Sequence, residues 1–119
     1  MQYLLLIYSA EGSGPQPGED GFPQFMNRYM AFTQEVKEQG AFEAGQPLED
    51  ISTATTVRVR DGKTLISDGP FAETKEVLGG YYLLNCDHLD QVLEFAAKIP
   101  TSEFGSIEVR PIMEIPGAG

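Results

Sequence analysis

Two short apolar runs, Gln2–Tyr8 and Gly80–Asn85, constrain this chain more than anything else in it. Each carries apolar residues at both odd and even positions, as a strand buried on both faces does. Each is too short to stand as an isolated helix, and each is followed by a segment with helical spacing. After the first run, Phe22, Phe25, Tyr29, Phe32 and Val36 recur at steps of three and four, with Gln24, Asn27, Arg28, Glu35 and Glu38 on the other side. This predicts an amphipathic helix with Asp20 as its N-cap, Pro23 in its first turn and Gly40 as its left-handed C-terminal residue. After the second run, Leu89, Val92, Leu93, Ala96 and Ile99 form one apolar face, Asp87 is the expected cap, and Pro100 ends the helix. A last strand is expected over Ser106–Glu114, with Pro111 turning it or placing it at an edge.

Between these halves, Thr53–Arg60 alternates cleanly, with Val57 and Val59 opposite Thr56, Arg58 and Arg60. Asp61-Gly62 is a type I′ hairpin signal, and Lys63–Ser67 returns as the partner strand. Phe42–Asp50 is expected to be an irregular strand or turn. Residues 9–21, rich in Gly and Pro, are expected to form a mobile surface loop, and residues 115–119 a tail. Strand–helix–strand, twice, is the split βαβ pattern of a ferredoxin-like α+β sandwich. Both helices would then cover one sheet face. A chain of 119 residues fits one domain, 1–119, and has no third layer for the other face. A second copy is the simplest cover, so a homodimer is expected.

The charge narrows the function classes. Eighteen acidic and eight basic residues leave a net −10, which phosphate backbones and anionic lipid surfaces repel. Nucleic acid and membrane are therefore not expected as partners. The apolar start lacks a basic leader and a cleavage site, and is expected to be a strand. The single cysteine, Cys86, allows no internal disulfide and fits a reducing cytoplasm. With one Cys and one His, a Cys/His zinc site is not available from a single chain, and no cofactor is invoked.

The polar stretch Ser67–Glu76 lies between the halves, closed by Leu78-Gly79-Gly80-Tyr81-Tyr82. Its run Asp68-Gly-Pro-Phe-Ala-Glu-Thr-Lys-Glu76, with Gly79-Gly80-Tyr81-Tyr82 behind it, resembles the signature of the YCII-related family in its DGPF branch. The flanks Ala54–Lys63 and Ile107–Pro111 agree, so the resemblance covers essentially the whole chain. It implies a ferredoxin-like fold assembled as a dimeric α/β barrel. It implies no established reaction. Members of the branch often occur beside extracytoplasmic-function sigma factors, which gives an accessory or regulatory protein as the alternative to a small-molecule enzyme or ligand-binding protein. The wider family is often described with a His–Asp pair. Asp68 matches its Asp, but the first helix holds no His, and the only histidine, His88, is expected to be an exposed first-turn residue.

Read as chemistry, Asp68 is either the carboxylate of an Asx-type turn or an acid/base group or hydrogen-bond anchor on stiff backbone. Gly69, before a proline, is expected to be extended. Tyr82 is a candidate hydrogen-bond donor. Arg58, Gly69, Pro70, Phe71, Glu73 and Lys75 are candidate ligand contacts, with Arg58 positioning a small anion. Against that, the basic residues around the signature, Arg110 included, would pair with Asp68, Glu73, Glu108 and Glu114 across strands. The cleft is expected between the sheet, the first helix and the Asp68–Glu76 loop. Cys86 is expected to be buried and inert, and Gly79-Gly80 lacks the spacing of a phosphate-binding loop.

Overall fold

A computed structural model describes residues 1–117. Ala118 and Gly119, the end of the expected tail, lie outside the described residues; Ile115, Pro116 and Gly117 are exposed. The elements run β1 (Gln2–Ala10), α1 (Phe22–Glu38), β2 (Phe42–Pro47), β3 (Thr55–Arg60), β4 (Lys63–Asp68), β5 (Glu76–Asn85), α2 (Leu89–Lys98) and β6 (Ser106–Pro111). Short 3₁₀ turns at Ile51–Thr53 and Pro100–Glu103 complete the chain. None of the described helices is long and apolar enough to cross a membrane.

Four strands form one antiparallel sheet in the order β2-β5-β1-β6. The two doubly apolar runs occupy its two central positions, and Pro111 ends the edge strand β6. With α1 and α2 on one face, this is the ferredoxin-like split βαβ arrangement. Tyr3, Leu5 and Ile7 of β1 alternate inward and meet Tyr82 and Leu84 of β5, Phe32 and Val36 of α1, and Val92, Phe95, Ala96 and Ile99 near α2. Removing any one of the large buried aliphatics, such as Leu5 or Leu84, costs about 2–5 kcal/mol. Gly45 of β2 faces the Tyr82 ring so closely that a Cβ there would come within 2.6 Å of Cδ1.

The local details differ from expectation at several points. Gly21, not Asp20, precedes α1, and no side chain caps it; Pro23, which lacks an N–H, already removes one donor that would need a cap. Gly40 does adopt a left-handed φ of 73° after α1. For α2 the cap is His88, not Asp87. His88 Nδ1 accepts from the Gln91 amide at 3.2 Å, while Gln91 Oε1 accepts from the Asp87 amide at 2.8 Å. The cap thus falls one residue later than the acidic residue suggested, and Gln91 reaches back past it to the preceding amide. Cys86 is buried, and burial pushes its thiol above the ordinary value.

The segment 42–50 begins as a full sheet strand with a bulge between Phe42 and Ala44. The hairpin β3–β4 has the expected turn, with φ of 52° at Asp61 and 73° at Gly62. Yet it is no part of the main sheet: β3 pairs only with β4. It is an insertion between β2 and β5, and nearly all its residues are exposed. The molecule is accordingly flat, 48 × 46 × 19 Å. Its radius of gyration is 16.5 Å, against about 13.5 Å for a compact chain of this length.

Candidate functional site

The signature loop takes its shape from attachments at both of its ends. At its start, the Gly69 amide donates to the Ala54 carbonyl at 2.7 Å, and the Thr56 hydroxyl donates to the Gly69 carbonyl at 2.8 Å. At its end, the Thr74 hydroxyl donates to the Glu76 carbonyl at 2.6 Å, and the Ser106 hydroxyl reaches both Glu76 carboxylate oxygens at 3.1 Å. Gly69 has a φ of 89°. The extended geometry expected before proline is thus not adopted, because glycine has no Cβ to forbid positive φ. The chain reverses at Gly69 and lays Pro70, Phe71 and Ala72 back towards the sheet.

A second loop faces it. The Leu48 amide donates to the Gly79 carbonyl at 2.9 Å, and Asp50 accepts from the Ser52 amide at 3.0 Å. The Thr53 hydroxyl closes the turn on the Asp50 carbonyl at 2.7 Å. Hydrogen bonds from Ser52 hold the Asp50 carboxyl below its ordinary range. Between the two loops lies a cleft of about 720 Å³. Its floor is Tyr8, Val77 and Leu78; one wall is Pro47–Ile51 with Thr53 and Ala54; the other is Pro70, Phe71, Ala72 and Thr74. That volume is ordinary for a small-molecule site, as is a mainly apolar lining with a few polar groups.

The expected position of this cleft needs correction. It opens on the sheet face away from the helices, so α1 contributes none of its lining. On the helical side lies a shallow depression of about 230 Å³, lined by Arg28, Ala31, Phe32, Glu35 and Lys98. There Lys98 meets Glu35 at 2.8 Å, and Arg28 meets Glu103 nearby.

The structure separates several residues that sequence reasoning grouped. Pro70 and Phe71 line the cleft, with Phe71 76% exposed at its mouth. Gly69 is the hinge behind them. Arg58 does not line the cleft; its guanidinium reaches the Phe71 carbonyl from behind, at a long 3.5 Å. Asp68 ends β4 opposite Thr55, exposed, outside the cleft lining. The register puts Asp68 with Val57 and Ile66 on one face of the hairpin and Arg58 with Leu65 on the other. Glu73 and Lys75 are exposed and line nothing. Tyr82 faces the helical layer instead. Its hydroxyl shares a 2.7 Å hydrogen bond with Thr33, its ring packs edge-on against Phe32 and Phe42, and burial raises its pKa. Asp68 and Tyr82 therefore share no cleft.

The cross-strand pairing expected for the basic residues does not form. Arg110 bridges Glu108 on its own strand at 2.8 Å. Arg58, Arg60, Lys63 and Lys75 have no ion pair among the described residues. Sequence reasoning missed the wall at residues 47–54 and the floor at Tyr8. Asp50-Ile-Ser52-Thr53 did carry a usable signal, an acidic residue two positions before an amide it can cap.

Fold and site together define a ferredoxin-like α+β domain with an inserted hairpin and a small-molecule-sized cleft beneath its signature loop. A family model, the YCII-related domain, matches residues 1–116, and the chain belongs to that family. It is similar to an uncharacterized protein, R00369, of Rhizobium meliloti (strain 1021), at 35% identity over 114 residues, 94% of this chain and 92% of that one. Among solved structures it is similar to 5-chloro-2-hydroxyhydroquinone dehydrochlorinase (TftG) from Burkholderia phenoliruptrix AC1100, in complex with 2,5-dihydroxybenzoquinone. The identity there is 15% and the TM-score 0.49, over 95% of this chain and 94% of that one. At that level of likeness nothing about the chemistry of this chain follows from it.

Proposed function

We propose that this chain is a small-molecule-binding protein that works as a homodimer, with its ligand in the cleft between residues 47–54 and 70–74. The single observation behind this is that Pro70, Phe71, Ala72 and Thr74 of the signature stand over a cleft of about 720 Å³ floored by Tyr8 and Leu78. A loop that only linked two strands would not need Gly69 at positive φ and tethers at both ends. The lining suits a compact, largely apolar ligand with hydrogen-bonding groups for the Tyr8, Thr53 and Thr74 hydroxyls. Glu49 and Asp50 are the carboxylates on its walls, and no Lys or Arg lines it. An uncharged ligand therefore fits it better than the small anion expected from Arg58. Asp68 is in this reading an anchor at the mouth, one residue before the Gly69 hinge.

Nothing in the geometry favours the accessory-protein alternative over a cleft binder. The test is a thermal-shift screen of uncharged, ring-containing compounds against the wild type and Phe71→Ala. A hit that stabilises the wild type and loses its effect in Phe71→Ala supports the cleft. Hits unaffected by substitutions at Phe71 and Tyr8 place binding elsewhere and sink the reading.

A further inference from the structure

We propose that the outer edge of β4 receives an extended strand from an acidic partner protein, a segment that alternates Asp or Glu with Val, Ile or Leu and adds to the hairpin as a third, antiparallel strand. This goes beyond the cleft and does not depend on it. The Gly69 amide donates to the Ala54 carbonyl at 2.7 Å, just beyond the end of the hairpin. Stepping by twos from that bonded pair makes Thr56 with Ser67, Arg58 with Leu65, and Arg60 with Lys63 the bonded pairs of the ladder. The two-residue turn at Asp61-Gly62 gives the same parity. The N–H and C=O groups of Thr64 and Ile66 therefore point away from β3, and they have no partner among the described residues.

The two edges of the hairpin are not equal. On β3, the Arg60 guanidinium donates to the outward Val59 carbonyl at 3.0 Å, and Thr56 and Arg58 reach the signature loop at Gly69 and Phe71. All six residues of β4 are exposed, and its register runs without a bulge. Thr64-Leu65-Ile66-Ser67 holds no charge, proline or glycine. Charges, prolines and bulges are what keep an edge from pairing, so this stretch is an open template for strand addition.

The two faces define the occupant. Directly opposed residues share a face, so Val57, Val59 and Ile66 lie on one side. Arg58, Arg60 and Lys63 lie on the other, with Thr56, Leu65 and Ser67 and no acidic residue. Arg60 stands opposite Lys63, a destabilising like-charge pair, and none of the three cations has an ion pair among the described residues. Successive side chains of a strand go to opposite faces. One added strand therefore complements both sides only if it alternates apolar with acidic residues. A second β4 fails this test. Two such edges paired about a two-fold axis perpendicular to the sheet set basic face beside basic face. Nucleic acid would leave the aliphatic face uncovered, and a chain of net −10 repels it.

Fluorescence anisotropy of a labelled Glu-Val-Glu-Val-Glu-Val-Glu peptide, titrated with the whole chain, tests this. Saturable binding is expected, weaker at higher salt and about tenfold weaker for Arg60→Glu. Thr64→Pro removes an outward N–H and no hairpin bond; it is expected to abolish binding, while Thr64→Val keeps it. N-methylation of the peptide's valines, the residues that would bond to Thr64 and Ile66, is expected to abolish binding with the protein unaltered. Equal binding of the N-methylated peptide, or of one with the same residues in separate Glu and Val blocks, reduces the contact to charge attraction and overturns the proposal. Absence of saturable binding by the wild type overturns it as well. Displacement of the peptide by single-stranded oligothymidylate makes the basic face a nucleic-acid surface. A wild-type oligomer that Thr64→Pro dissolves and the peptide does not makes the edge a contact between copies. Either result overturns the acidic partner, and both leave the cleft to the Phe71 test.

Discussion

The Thr56 hydroxyl donates to the Gly69 carbonyl at 2.8 Å, so the loop that walls the cleft is hung at its start from the inserted hairpin, while its other end is tied to the main sheet at Glu76. Thr56→Val keeps the shape of the side chain and removes the donor. Stability should fall by about 1 kcal/mol, the net worth of one such bond. Amides of residues 71–73 should exchange faster, and any ligand of the cleft should bind several-fold less tightly. Native-state hydrogen exchange and titration of a screening hit check this.

Phe71 is exposed, so its loss should hardly touch folding. Phe71→Ala is expected to change stability by no more than about 0.5 kcal/mol. A cleft ligand should lose about tenfold in affinity, as a truncated aromatic contact would predict. Urea melts alongside calorimetric titration separate the two effects.

Tyr82 should behave in the opposite way. Tyr82→Phe removes a hydrogen bond to Thr33 on the helical side and should cost about 1 kcal/mol with cleft binding unchanged. Burial raises the Tyr82 and Tyr29 pKa values. Their folded values thus lie above the unfolded value of about 10, so their contribution is complete below that pH and is lost as pH rises beyond it. Urea midpoints should drop above about pH 10, and less steeply in Tyr82→Phe.

The acid limb has a different origin. Hydrogen bonds from Ser52 lower the Asp50 pKa, and the Arg28 guanidinium lowers that of Glu103. With folded values below unfolded ones, both groups stabilise the fold above about pH 4 and stop doing so as pH falls through their folded values. Because Asp50 closes a cleft wall, ligand affinity should fall over the same range. The Ser52 amide should lose exchange protection there, and Asp50→Ala should show both losses already at neutral pH.

Asp68 is solvent-exposed at the end of β4, and its carboxylate takes part in none of the side-chain hydrogen bonds described above. Asp68→Asn should therefore leave the melting temperature within a degree or two. If the carboxylate anchors ligand at the cleft mouth, the same variant should bind a screening hit several-fold more weakly. Equal affinity in the two proteins would remove Asp68 from the site.

The core strands were legible because burial on both faces leaves a mark at every position, as in Leu4-Leu5-Leu6-Ile7. Hairpin turn chemistry was equally plain at Asp61-Gly62. The place of that hairpin was not, since Val57 and Val59 alternate with Arg58 and Arg60 whether or not anything covers them. The caps failed by one residue each because a carboxylate, His88 and a bare glycine can all precede a first turn. The site was half legible: Pro70 and Phe71 stand out as a rigid, apolar break in a polar run. Tyr8 could not be assigned to a cleft floor, because which face of a central strand meets which loop depends on contacts some 60 residues away in the chain. Tyr82 looked like a partner for Asp68 from proximity in the sequence, yet strand alternation turned it to the opposite side.

The hydrogen-bonding of the four-stranded sheet is complete without residues 49–75, since β2 joins β5 directly and Leu48 already bonds to Gly79. Apart from its floor and the Pro47-Leu48 end of one wall, everything that shapes the cleft is carried in that one excursion. Recognition and scaffold are therefore separable in the gene: the excursion could be exchanged between relatives as a cassette, altering what is bound while the β2–β5 seam keeps its register.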